Sequence, residues 1–413
     1  MGTAFNTALS ALNADSTAID VVGNNLANLN TTGFKASTVD FSDLMAQQLG
    51  TGSDTGQVGA GVGQIGTVQD FSQGSQDTTN GDLDAMIQGN GFFVVKDSSN
   101  TQLYTRDGSF QLDASGNLLT ATGQNVQGWT ATNGVVDTNG AVGNITVPVG
   151  SVIAPKATTT MSMNVNLDSS TATGGAFSAP LTVYDSQGTA HTLTVNYTET
   201  ASNSWSYTVT VPAADLATGG NTTVATGTLA FNSSGALTTP AAGSPVAVAV
   251  TGLADGAADL NINWNLYNST GTPEITQYAQ TSGMSSPVQD GNAAGEVSQV
   301  SIQNGGTIMA TYTNGQQVTL GQLAVASIAN PTSLLQVGNN NLQASAATAQ
   351  AALGAAGAGG RGQIVGGSLE SSNTDMAAEF TKLLTYERSY QAASRVITTS
   401  DTLAQETVNL VHA

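Results

Sequence analysis

The two ends of the chain constrain its fold most. Between residues 3 and 29, Phe5, Leu9, Leu12, Ile19 and Leu26 recur at steps of 4, 3, 7 and 7. That repeat paints one face of an α-helix. Val22 and Leu29 flank the stripe, and Ala8, Ala11, Ala14, Ala18 and Ala27 keep the rest slim. The far end repeats the pattern: Met376, Phe380, Leu383, Tyr390, Ile397, Ala404, Val408 and Val411 recur at 3, 4 or 7. A second helix is predicted over roughly 373–411, with Asn373 or Thr374 as N-cap and Asp375 and Glu379 near its positive end. A two-helix unit of this length has little core of its own. The spacing therefore points to an antiparallel, coiled-coil-like pair that buries its stripe only against copies of itself and orders on assembly. The alternative is that each helix packs on its own globular domain.

Between the ends the period changes. From about 66 to 350, short alternating runs are separated by turn residues. "GFFVVKD" (91–97), "QLYTRDGSFQLD" (102–113) and "GNLLTATGQNVQGW" (116–129) read as hairpins, with turns at Asp107-Gly108 and Gly116-Asn117. A second set begins at "SAPLTVYDSQGTAHTLTVNYTET" (178–200) and runs to "DLNINWNLY" (259–267). Its alternation fits half-buried antiparallel strands. A third set (295–330) carries the Asn314-Gly315 hairpin signal. The stretches 50–66 and 343–367 are rich in Gly and Ala and read as flexible linkers. The layout is an α+β chain, with helices outermost in sequence, then linkers, then two nested β-rich domains.

Charge excludes several functions. Only 9% of residues are charged, against roughly 25% in an ordinary globular protein. Eight Lys and Arg face 28 Asp and Glu, for a net charge of −20. Nucleic acids and anionic membranes both need a basic footprint, so neither is an expected partner. Four of the eight basic residues, Lys35, Lys382, Arg388 and Arg395, lie near the ends. There is no Cys, hence no disulfide and no thiolate metal site. The start of the chain lacks a charged region followed by an apolar run, so no cleavable secretory signal is expected. No apolar run approaches the ~20 residues of a membrane span.

Chemistry-bearing motifs are sparse. His191 alternates with apolar residues in a predicted strand, and His412 is next to last. Neither has a Cys or carboxylate at ligand spacing, so no zinc site is expected. No G-x-S-x-G elbow accompanies His191, and no Walker-type loop is present. "NGDLDAM" (80–86) lacks EF-hand spacing. No cofactor and no enzyme activity are expected.

The first helix ends in "ANLNTTGFK" (27–35), a run of Asn, Thr and Gly that can leave a helix through left-handed backbone. Ala27, Asn28, Asn30, Thr31, Gly33, Phe34 and Lys35 resemble, residue by residue, the N-terminal signature of the bacterial flagellar axial family of rod and hook proteins. "SLESSNTDMAAEFTKLLTYERSYQAASRVITTSD" (368–401) is similar to that family's C-terminal helix, through Arg388, Tyr390, Gln391, Ile397, Thr399 and Asp401. Glu387 departs from a more usual Gln. Residues 82–95 and 103–129 resemble the β domain shared by rod and hook subunits. Length, "LTVYDSQGTAHTLTVNYT" (181–198) and 311–345 favour the hook type over the shorter distal rod type. A β-rich adhesin or phage structural protein shares the composition but not the terminal motifs.

The resemblance implies a structural polymer. Residues 1–30 and 370–413 would form the inner helical domain, with Phe5, Leu9, Leu12, Ile19, Leu26, Met376, Phe380, Leu383 and Val408 as its packing seam. Residues 31–70 and 355–369 would be linkers. Residues 71–155 with 285–354 would form one β domain, and 156–284 an outer one. The implied partners are further copies of the chain, the hook cap or scaffold protein, the distal rod protein, the hook–filament junction protein and the hook-length ruler. Export would run through the flagellar type III apparatus to the cell exterior. There "FSDLM" (41–45) resembles a Phe-x-x-x-hydrophobic export-gate motif through Phe41 and Met45.

Overall fold

Two helices bracket the chain in the computed structural model, which describes residues 2–45, 47–49 and 56–411. Helix α1 spans Gly2–Ala27 and α2 spans Met376–Val411. Among the described residues, the regular elements between them are short strands, apart from two single 3-10 turns. The chain separates into two compact units: residues 1–149, 299–310 and 317–413 form the first, and 150–298 with 311–316 the second.

In the first unit α1 and α2 lie side by side. They run antiparallel, because Asn25 near the end of α1 meets Glu379 near the start of α2. The face of α1 that turns inward is made of small residues, Ala8, Ala14, Ala18 and Val22, with Asn25. Against the same helix sits an antiparallel ladder, Ser37–Asp43 with Val62–Gln69. The hydroxyl of Ser10 accepts the Val62 amide at 3.2 Å and pins that ladder to α1.

Beyond the helices, strand Phe92–Lys96 lies against Gln102–Thr105, Asn125–Thr132 and Val325–Ser327. Its run of apolar residues is buried on both faces, as a continuous apolar run predicts. Phe92, Val94, Tyr104, Trp129, Ala324, Ala326 and Leu342 form one core. N- and C-terminal halves interleave here: Ala85–Gln88 pairs with Gln363–Gly366, and Gln76–Thr78 with Ser368–Glu370. The stretch 343–367 is therefore no free linker. It carries the strands Ala352–Gly354 and Gln363–Gly366, and Ile364 is buried. Of the Gly-rich stretch 50–66, residues 50–55 lie outside the described residues, and the rest contributes strand Val62–Gln69.

Asp107-Gly108 is not a hairpin turn either. Strand Gln102–Thr105 pairs with Phe92–Lys96 and Asn341–Gln343 rather than with the strand that follows it. Gly108 instead presses on the backbone of Ala85, where a Cβ would fall 1.6 Å from the carbonyl oxygen. Gly116 does turn a hairpin, joining Phe110–Leu112 to Leu118–Thr120 at φ +83°.

The second unit is a β-sandwich. One sheet is an antiparallel meander, Ala176–Tyr184, Ala190–Ala201, Ser204–Thr210, Thr223–Phe231 and Leu237–Thr239. The other places Thr160–Asp168 parallel to Leu260–Asn265 and Ile275–Tyr278, and antiparallel to Gly283–Gln289. The inward residues alternate along each strand, as in Met161, Met163, Val165 and Leu167. Tyr207 meets Trp264 edge-on at 5.3 Å in the shared core.

Candidate functional site: a helical surface and its polar anchor

Much of the apolar stripe of the helices faces outward. Phe5 is 40% exposed and Phe380 50%, and Leu9, Met376, Leu384, Tyr390, Val396, Leu403 and Val408 are exposed with them. Leu12, Ile19, Leu26, Leu383 and Ile397 are half-buried. The small-residue face of α1 is thus the buried one, Leu12, Ile19, Leu26, Leu383 and Ile397 are partly covered, and the large side chains named before them are left to solvent. Exposed apolar surface of this extent marks an interaction site in a soluble protein. Helix α2, with 36 residues against 26 in α1, runs on past the start of its partner. Residues 401–408 are all exposed.

Arg388, Thr399 and Asp401 stand on the solvent side of α2, as does Gln391, whose amide reaches Glu387 at 3.3 Å. Thr399 donates to the Arg395 carbonyl, and Asp401 accepts from Gln405 at 3.1 Å. Phe41 packs its ring against Tyr386 at 6.4 Å, edge-on. Met45 is 92% exposed.

Beneath this surface the "ANLNTTGFK" segment is folded into the protein. Thr31 donates to the Asn28 side chain at 3.1 Å, and Asn28 reaches back to the Asn24 carbonyl at 2.9 Å. Ala27 and Asn30 are exposed, while Gly33, Phe34 and Lys35 are buried. Among the Asn and Gly residues of this motif, only Gly33 takes left-handed backbone, at φ +66°. A Cβ there would sit 2.6 Å from the Arg106 carbonyl carbon. Two demands thus coincide at one glycine, positive φ and close backbone approach.

Lys35 ends in a buried ion cluster. Its Nζ lies 2.6 Å from Glu370 Oε1 and donates also to the Ser72 carbonyl at 2.6 Å. Arg106 Nη1 lies 3.0 Å from the other oxygen of the same carboxylate. Arg106 further donates to the carbonyls of Ile87 and Gly89 and stands 5.4 Å over the Phe92 ring. The backbone closes the junction, with the Gly33 amide donating to the Glu370 carbonyl at 2.7 Å and the Gly74 amide to its carboxylate at 2.9 Å. Burial pulls the Lys35 ammonium below its ordinary pKa, and Glu370 offsets part of that. Two Asn side chains extend the junction. Asn25 exchanges hydrogen bonds with the Ser37 backbone and donates to Glu379, while Asn373 accepts from the Ala36 amide at 2.7 Å and donates to the Asp70 carbonyl. Sequence reasoning overlooked Glu370, Arg106, Asn25 and Asn373 as junction residues. Scarcity was the signal for the first two: in a chain this poor in charge, any ionic residue beside apolar neighbours is a candidate for a specific partner.

A separate cluster lies within the second unit. His191 begins the inward-facing row of its strand and is buried. Its Nδ1 is 3.1 Å from Asp215 Oδ2, and its Nε2 is 3.3 Å from Asp185 Oδ2 and 3.8 Å from Asp255 Oδ2. This corrects the expectation that no carboxylate attends His191, since the fold gathers three from separate turns. Burial opposes the charged imidazole, but hydrogen bonds to Asp215 and Asp185 outweigh it and raise its pKa. Burial likewise opposes ionisation of Asp185, but bonds with Asp255, the Thr189 amide and His191 bring it to about 2. His412 lies outside the described residues.

Four family models match the chain. Residues 5–35 match the flagella basal body rod protein model, and 86–168 the flagellar hook protein FlgE/F/G D1 domain. Residues 158–292 match the flagellar basal body protein FlaE D2 domain, and 365–410 the flagellar basal body rod FlgEFG protein C-terminal model. The flagellar hook protein FlgE of Salmonella typhimurium is 35% identical, over 98% of this chain and 99% of its own. That of Escherichia coli K12 is 34% identical, over 98% and 100%. The solved Helicobacter pylori flagellar hook protein FlgE2 aligns with 66% of this chain and 93% of its own, at 12% identity and a TM-score of 0.48. With its helices, both β-rich regions and nearly its whole length matched in this way, the chain belongs to the flagellar hook protein FlgE family.

Proposed function

We propose that this chain is the structural subunit of a flagellar hook and that it polymerises through the outward stripe of α1 and α2. The exposed row of Phe5, Leu9, Met376, Phe380, Leu384, Leu403 and Val408 carries this reading. A second copy would cover that row, order the helix ends and enclose a central channel. The family is one of structural proteins, and among the described residues no helix is long and apolar enough to cross a membrane.

The four-part division supports the mechanism. Residues 1–30 and 370–413 would make the inner tube, 31–70 and 355–369 its connection, 71–149 with 299–310 and 317–354 the inner β domain, and 150–298 with 311–316 the outer one; the expected limits at 156 and 284 move because Gly283–Gln289 pairs into the outer sheet. Torque would pass through the packed helices. Weakly charged outer surfaces suit contacts that break and re-form as a curved tube rotates, because little desolvation is needed at each cycle. The product is a universal joint, stiff in twist and soft in bending. Hook cap, distal rod, hook–filament junction and length-ruler proteins are its expected partners. Export through the type III apparatus, with Phe41 and Met45 at its gate, would place it outside the cell.

The test is electron microscopy of the full-length chain in precipitating salt, wild type beside Phe380→Ser/Leu384→Ser. Curved hollow tubes from the first and folded monomers from the second are expected. Tubes from both would move the assembly interface into the β domains. Point variants are needed because trimming to 36–369 would remove Lys35 and Glu370 and leave Arg106 unpaired.

A further inference from the structure

We propose that Asp185, His191 and Asp255 form a binding site for one divalent cation of the zinc class, with Asp215 as the outer partner that orients the imidazole. Nδ1 lies 3.1 Å from Asp215 Oδ2, so the tautomer with its proton on Nδ1 donates to that carboxylate. In the neutral ring, Nε2 then presents its lone pair to two carboxylate oxygens, 3.3 and 3.8 Å away. Three acceptors converge, and something positive must stand between them.

A second ring proton, a proton shared between the two carboxylates and a metal ion are the three ways to supply it, and the ion is the one whose ligand spacing the cluster matches. A zinc-class ion sits about 2.0–2.2 Å from N and O ligands, which sets tetrahedral ligand-to-ligand separations of about 3.4 Å. The observed pair brackets that value, and the three ligand atoms all lie within 4.8 Å of one another. Charge points the same way. A proton cancels one of three carboxylate charges; a divalent cation cancels two.

The surroundings complete the site. An imidazole donating its far N–H to a carboxylate is the usual outer support of a metal-bound histidine. Asp185 and His191 are buried, whereas the Asp255 side chain is 27% exposed, so an ion and a completing water can enter from its side. Asp185 is held in place by the Gln187 and Thr189 amides, at 2.8 and 2.9 Å. The ligands come from the turn after Ala176–Tyr184, from the start of strand Ala190–Ala201 and from the loop that precedes Leu260–Asn265 of the other sheet. A bound ion would staple one end of the sandwich.

The test uses the full-length chain at low salt, stripped with EDTA and titrated with zinc chloride at neutral pH by calorimetry, with elemental analysis of the dialysed product. One zinc per chain and a raised thermal midpoint are expected. Asp255→Asn should weaken binding at least tenfold, and Asp215→Asn roughly 10–100-fold, as loss of an outer-shell partner does. Both keep side-chain shape, and circular dichroism checks their fold. No binding by the wild-type chain overturns the proposal. So does binding unchanged in both variants, which would put zinc on other acidic surface. Nitrogen-detected NMR showing both ring protons on His191 in the presence of zinc also overturns it.

Discussion

A single carboxylate ties three distant parts of the chain together. Glu370 bonds Lys35 from the N-terminal motif and Arg106 from the first β region, at sequence separations of 335 and 264 residues. Removing it would leave two buried cations without a counter-charge, so Glu370→Ala should cost about 3–5 kcal/mol. Urea unfolding of the monomer measures this; a loss under 1 kcal/mol would mean that water or other groups satisfy both cations. Gly33→Ala meets a different obstacle, positive φ together with backbone 2.6 Å away. It should destabilise by roughly 1–3 kcal/mol, visible in the same experiment. The motif "ANLNTTGFK" was legible as a helix end, but its partners were not. Local pattern reports on neighbours within a few residues, whereas Lys35 and Arg106 meet at Glu370 through strand pairing far along the chain, as between residues 76–78 and 368–370. The Asp cluster at His191 escaped for the same reason, its members arriving from three turns.

At the scale of elements, periodicity announced both helices, and alternation announced the strands of the meander. Which helix face meets which partner was not written in that period. Small side chains let two helices approach closely, so Ala8, Ala14 and Ala18 turn inward while Phe5 and Leu9 stay out. The consequence separates stability from assembly. Phe380→Ser/Leu384→Ser should change monomer stability by less than about 0.5 kcal/mol per site, as exposed substitutions do. Full burial of a Leu or Phe contributes about 1.5–3 kcal/mol, so losing half of that at each site should raise the critical concentration for tubes at least tenfold. Sedimentation of tubes against monomer reads both. A loop supplies the pH response of the second unit. Burial opposes ionisation of Asp290, but bonds from Thr159, Thr160 and Lys156 hold its carboxyl well below the usual carboxylate range. A depressed folded-state pKa means that its stabilising contribution is complete above about pH 4 and fades as pH falls below it. Thermal midpoints taken downward from pH 5 should therefore fall less steeply in Asp290→Asn than in the wild type.

For the whole molecule, the net charge of −20 and the exposed apolar stripe pull assembly in opposite directions. Copies of so acidic a chain repel one another, and salt screens that repulsion beyond about 10 Å at 0.1 M. If repulsion set the barrier to polymerisation, sodium chloride and ammonium sulfate would act alike at equal ionic strength. Burial of the stripe responds differently, because sulfate is excluded from protein surface and strengthens apolar association. The stripe is dense in Phe, Leu, Met and Val, while only 9% of all residues are charged. Apolar burial should therefore dominate. Ammonium sulfate is expected to bring the critical concentration for tubes well below that in sodium chloride of matched ionic strength, as light scattering and electron microscopy would record. Equal effects of the two salts would shift the controlling contact from the helices to charged groups elsewhere on the subunit. In that case Phe380→Ser/Leu384→Ser would leave the critical concentration where it was, so the two measurements check each other.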